Sequence, residues 1–138
     1  MPADTIRLND IAGMKQRLLA TPDALYKARV ARAEAQGIVA RLKDHRDEIE
    51  AETSVLVAGE RDAANKPAFS NAELRSAETK RRLAASDDYG KVMHELSFAE
   101  NDLTMRGLDV QRLEDEQRSW RAVVDLAVAE INLLVAGR

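Results

Sequence analysis

From Leu96 to Leu134 the chain places a seam residue at alternating steps of three and four: Leu96, Ala99, Leu103, Arg106, Val110, Leu113, Gln117, Trp120, Val124, Ala127, Ile131 and Leu134. No proline interrupts the stretch, and only Arg106 and Gln117 are polar. That spacing lays the seam along one face of a long α-helix, and a helix with an apolar stripe has to bury it against something. A second stripe, Leu25, Ala28, Ala35, Val39, Leu42, Ile49 and Leu56, has the same spacing, with Arg32, Arg46 and Thr53 in the remaining positions. Two stripes of similar length in one chain fit an antiparallel hairpin.

Composition agrees. Of the 138 residues 45% are apolar and 33% charged, but only 4% are aromatic. Ala, Leu, Glu and Arg in such proportions, with little Gly or Pro, make long helices. No run of alternating β-branched residues suggests a strand. The expected fold class is therefore all-α: a long antiparallel coiled-coil helical hairpin with short flanking helices, oligomeric, in a single elongated helical domain over 1–138.

Local signals place the elements. Asn9 is expected to cap a short helix over 9–20, with Ile11, Met14 and Leu18 on one face. Thr21-Pro22 is expected to end it and to open a long helix over 22–60, since Thr caps well and Pro suits the first helical position. Asn65-Lys66-Pro67 reads as a loop. Ser70 and Glu73 have capping-box spacing, with Phe69 and Leu74 as a hydrophobic staple, which starts a tip helix over 71–85. Ser86-Asp87-Asp88 then caps the last long helix, over 87–135, with two acids at its positive end.

The simplest register puts Leu56 near Leu96, Leu42 near Val110 and Ala28 near Val124. It also puts Arg46 beside Arg106, a layer that needs acidic partners, and Arg32 beside Trp120, where a cation–π contact is available. The last turns are apolar on more than one face, through Val123, Leu126, Val128, Leu133 and Val135. The first helix is placed to fold back over this base and a second copy of the chain to cover the rest; the alternative is a monomeric three-helix base with an exposed arm. The expected oligomer interface is Trp120, Val124, Leu126, Ile131 and Leu134.

The sequence contains no cysteine, nucleophile elbow, phosphate-binding loop or dinucleotide fingerprint. His45 and His94 fall in no ligand spacing, and the acids around Asp47 and Glu114 read as solvated helix faces. No catalytic residue, metal site or cofactor is expected, so the reading is non-enzymatic. Met1-Pro2-Ala3-Asp4 lacks a signal-peptide pattern, which leaves the cytoplasm as the default. The apolar run Ala122–Ala136 carries Asp125, Glu130 and Asn132, and falls short of the roughly 20 residues of a membrane span.

The net charge of -3 leaves nucleic acid to local patches. Lys66, Arg75, Lys80, Arg81, Arg82 and Lys91 gather at the hairpin tip in this reading, where they would grip phosphates, with Phe69 and Tyr89 able to stack on bases. Glu73, Glu78, Asp87 and Asp88 dilute the patch. A second basic stretch, Lys27, Arg29, Arg32, Arg41, Lys43 and Arg46, either extends that face or answers acids on the last helix.

The stretch from Phe69 to Leu126 resembles small helical-hairpin proteins of phages and prophages. The matching residues are Phe69-Ser70-Asn71, Glu73, Lys80-Arg81-Arg82, Asp87-Asp88-Tyr89 and Trp120. That resemblance implies an accessory role in DNA recombination or replication. Two partner readings stay open: DNA at the basic tip, or other proteins bound through the helical faces of a structural or adaptor protein.

Overall fold

The computed structural model describes residues 8–137, with side chains from residue 12 onward. Three helices account for nearly all of it: α1 (Leu8–Gly59), α2 (Ala72–Ala85) and α3 (Asp87–Ala136). The long α1 and α3 pack antiparallel, and the short α2 lies between them in the chain. Among the described residues there is no β-sheet, only an isolated bridge between Arg61 and Pro67.

The expected break at Thr21-Pro22 does not occur: α1 carries Pro22 in its interior. Proline removes one helical hydrogen bond and costs about 3 kcal/mol in a helix interior. Packing offsets that cost here. Thr21 and Leu25, on either side of the proline, are both buried in the seam. The Thr21 hydroxyl also donates to the Arg17 carbonyl at 2.6 Å, bonding one turn back. Asn9 accordingly lies inside α1 rather than capping it. The Ile11 side chain of the expected first-helix face is outside the described ones.

The chain divides into two compact units, 34–103 and the pair of segments 1–33 and 104–138. In the first, Ala35, Val39 and Val57 of α1 and Val92 and Leu96 of α3 are buried. Leu42, Arg46, Ile49 and Thr53 are half-buried at the intervening steps. The seam departs from expectation at its end, where Val57 is 1% exposed and Leu56 67%. Steps of four from Ile49 to Thr53 and on to Val57 replace the expected closing step of three. A straight helix has 3.6 residues per turn, so a strict seven-residue repeat drifts off its face.

The register also differs. Leu42 and Ala99 line one groove, and Ile49 and Val92 another. Leu42 thus meets a residue eleven positions earlier on α3 than the expected Val110. Lys43 pairs with Glu100 at 3.4 Å, and the Tyr89 hydroxyl donates to Glu50 at 2.7 Å. The stretch of α3 facing Arg46 is the one around Tyr89, Val92 and Glu95, so the Arg46–Arg106 layer is replaced. Arg46 instead donates through two nitrogens to Asp47, at 2.9 and 2.8 Å, and this bond holds its pKa above the ordinary value.

In the other unit, Leu25 and Val110 are buried, and Ala28, Arg32, Leu113, Gln117, Trp120, Val124 and Ala127 are half-buried. Arg29 pairs with Glu114 at 3.0 Å, which sets Ala28 well away from its expected neighbour Val124.

The connection from α1 to α2 is a tight turn. Asp62 accepts the N–H groups of Ala64 and Lys66 on one carboxylate oxygen, each at 2.9 Å. Asn65 takes a left-handed φ of 59°, which its short polar side chain tolerates. The cap of α2 is Asn71, one residue later than the expected Ser70. Its side chain accepts from the Leu74 N–H at 2.8 Å. A staple across this cap would have to join Ser70 to Arg75, so Phe69 and Leu74 do not form one. Ser86 caps α3 as expected, accepting from the Tyr89 N–H at 3.2 Å.

Candidate functional site

Two of the six tip cations are tied up in ion pairs, and three of the others line two clefts. Arg81 and Arg82 both bind Glu78: Arg81 through two nitrogens at 2.9 and 2.6 Å, and Arg82 through Nε at 2.8 Å. These bonds hold the Glu78 carboxyl down at about 2, with Arg81 the larger influence. They also raise the pKa of both arginines. Arg82 additionally pairs with Glu60, just past the end of α1, and its guanidinium lies 6.0 Å from the centre of the Phe69 ring. Arg75 is half-buried and donates to the Phe69 carbonyl at 3.3 Å.

Lys80 is exposed on a cleft that it lines with Arg75, Glu50 and Tyr89. Lys91 is exposed on a different cleft, with His45, Glu52, Asp88 and Glu95. Lys66 is exposed in the turn before α2. The two aromatics offered for base stacking have internal tasks. Phe69 faces Arg82, and Tyr89 is tied to Glu50, which together with its partial burial pushes the phenol pKa up.

Much of the second basic stretch answers acids. Arg29 and Lys43 reach Glu114 and Glu100 on α3, while Lys27 and Arg46 pair with Asp23 and Asp47 on α1 itself. All are solvent-accessible pairs of the kind that contribute little to stability.

The expected interface residues divide into two groups. Trp120 and Val124 are half-buried within the seam. The cation over Trp120 is Arg17, at 5.2 Å from the ring centre, and not Arg32. Leu126, Ile131 and Leu134 are exposed, and Leu133 and Val135 beside them are equally bare. The stretch expected as a separate first helix is part of the continuous α1, where Met14 and Leu18 are half-buried and Arg17 reaches Trp120.

The sequence reading passed over a groove between α1 and α3 in the 34–103 unit. Ala35, Ile38 and Leu42 line it from one side, and His94, Glu95, Phe98, Ala99 and Asp102 from the other, around about 470 Å³. Phe98 stands two residues past the seam position Leu96, and is 75% exposed. The available signal was an off-seam aromatic in a chain with only two phenylalanines, flanked by acids seven residues apart.

Among the described residues, no group of three or more His, Asp or Glu is placed to hold a metal ion. No described helix is long and apolar enough to cross a membrane. The groups with shifted pKa values (Arg46, Glu78, Arg81, Arg82 and Tyr89) all sit in ion pairs or hydrogen bonds that account for the shift. Comparison with protein-family models, curated proteins and solved structures finds no match.

Proposed function

We propose that the chain is a helical-hairpin protein-interaction module that self-associates through the C-terminal end of α3. One observation carries this reading. Ile131 and Leu134 continue the seam's spacing, yet they are 50% and 73% exposed. Leu126, Val128, Leu133 and Val135 widen the apolar surface around the same turns. Burying one such side chain is worth about 1.5–3 kcal/mol, and a helix that is apolar on most sides is normally covered. A partner that continues a seam of this period is itself a helix with the same period. A second copy of the chain supplies one.

Light scattering of the pure protein tests the reading. A multiple of the 15.3 kDa chain mass is expected. The double variant Ile131→Asp, Leu134→Asp should return to the mass of one chain with unchanged helix content, because both side chains are already exposed. A wild-type monomer at high concentration overturns self-association.

A nucleic-acid accessory role is the second reading. It rests on the exposed Lys66, Lys80 and Lys91 and on the resemblance of the cap motifs to phage proteins. The pairing of Arg81 and Arg82 with Glu78 and Glu60 weighs against it. The triple variant Lys66→Glu, Lys80→Glu, Lys91→Glu leaves those pairs intact. Salt-dependent oligonucleotide binding that this variant abolishes would favour DNA. No binding at low salt ends that reading.

A further inference from the structure

The two flanks of the seam in the 34–103 unit are built differently. On one flank Lys43 and Glu100, each one residue past a seam position, close the edge with an ion pair. On the other flank Ile38 and Glu95, each one residue before a seam position, open onto the groove described above. Helical periodicity puts these two sets on opposite sides of the seam.

The open flank has an apolar floor of Ala35, Ile38, Leu42, Phe98 and Ala99. Its rim is acidic. Asp88, Glu95 and Asp102 stand seven residues apart on α3, and the series goes on in the sequence at Asp109 and Glu116 and, past Val123, at Glu130. No Lys or Arg lines the groove. The adjoining cleft holds Glu52, Asp88 and Glu95 against Lys91 alone, with His45 beside them. Leaving Asp102 aside, groove and cleft together set three carboxylates, Glu52, Asp88 and Glu95, against one lysine.

We infer that this flank docks a basic amphipathic helix of a partner protein, with Phe98 as the apolar anchor. The observation that selects this occupant is charge complementarity. A helix with an apolar stripe fits the floor, and Lys or Arg at seven-residue spacing meets the acids. Asp88 to Glu95 spans about 10 Å at about 1.5 Å per residue, which two turns of a partner helix would cover. An aromatic ring that is mostly exposed in the free chain and flanks an apolar groove has the character of a binding hot spot. This inference rests on reading the chain as a protein-interaction module, but uses a face separate from the α3 end.

The test uses the 138-residue chain and two synthetic helical peptides of about three heptads. Both carry Leu along one stripe. One has Lys at seven-residue spacing beside the stripe and the other has Glu. The Lys peptide should bind at least about tenfold more tightly than the Glu peptide, and more weakly as salt is raised. Phe98→Ala and Glu95→Lys should each weaken its binding about tenfold or more while helix content stays constant. The Ile131→Asp, Leu134→Asp variant should bind the peptide as wild type does, which separates failure here from failure of self-association. Equal binding of the two peptides, or no binding, overturns the inference. So does a fall in assembly mass caused by Phe98→Ala, which would assign the groove to a second copy.

Discussion

The buried seam of the 34–103 unit and the last turns of α3 obey the same spacing with opposite outcomes. Leu96 is 4% exposed, whereas Leu134, on the same repeat, is 73% exposed. The difference lies in what stands opposite. Leu96 belongs to a stretch of α3 that packs against α1 and is tied to it by Tyr89–Glu50 and Lys43–Glu100. The half-buried seam positions of the final turns end at Ala127, and every described residue after it is exposed. A heptad stripe states that a helix needs a partner, but not whether the same chain supplies one.

Cross-linking offers a yes-or-no test of the paired region. The chain has no cysteine, and Lys43 and Glu100 are exposed partners, so Lys43→Cys with Glu100→Cys leaves the buried seam residues in place. A short thiol cross-linker should join them within one chain. The register read from sequence alone separates them by nine positions, about 14 Å along the axis. Absence of the cross-link would break the observed register.

Stability should then separate the two regions. Leu96→Ala should cost about 2–5 kcal/mol in denaturant unfolding. Leu134→Ala, measured in dilute monomer, should stay within about 0.5 kcal/mol. Equal costs would erase the contrast.

Tyr89→Phe removes a hydrogen bond to a carboxylate at a half-buried site and should cost about 1 kcal/mol. An unchanged midpoint would show that the bond adds nothing to the seam.

The smallest effect lies in acid, at α2. Folding lowers the Glu78 carboxyl from 4.5 to about 2, so the folded state binds its proton less readily than the unfolded one. Its contribution to stability is complete above pH 4.5 and disappears as the pH falls towards about 2. Glu78→Gln should flatten the pH dependence of unfolding across that window. An unchanged slope would show that the Arg81 and Arg82 bonds do not persist in solution.

Several elements were legible in the sequence because local chemistry decides them. The Asn65-Lys66-Pro67 loop, the Ser86 cap and the extent of α3 follow from breakers, capping side chains and an unbroken stripe. Pro22 misled for the complementary reason. Its local preference opposes a helix interior, and burial of Thr21 and Leu25 on either side outweighs that preference. The basic tip was legible as composition, but its pairing was not. Nothing in the order of residues says that Arg82 reaches Glu60, twenty-two positions earlier.

The sequence by itself determined that this is an all-α chain with two long stripes, and it selected nearly every residue of those stripes. Tertiary structure decided how the stripes meet. Eleven residues complete about three turns, so sliding α3 by that amount along α1 returns a seam residue to the seam. The apolar pattern is nearly indifferent to the slip. The choice falls to features off the stripe: the Lys43–Glu100 and Arg29–Glu114 pairs, the Tyr89–Glu50 bond, and the turn that delivers α2 and α3 to the end of α1.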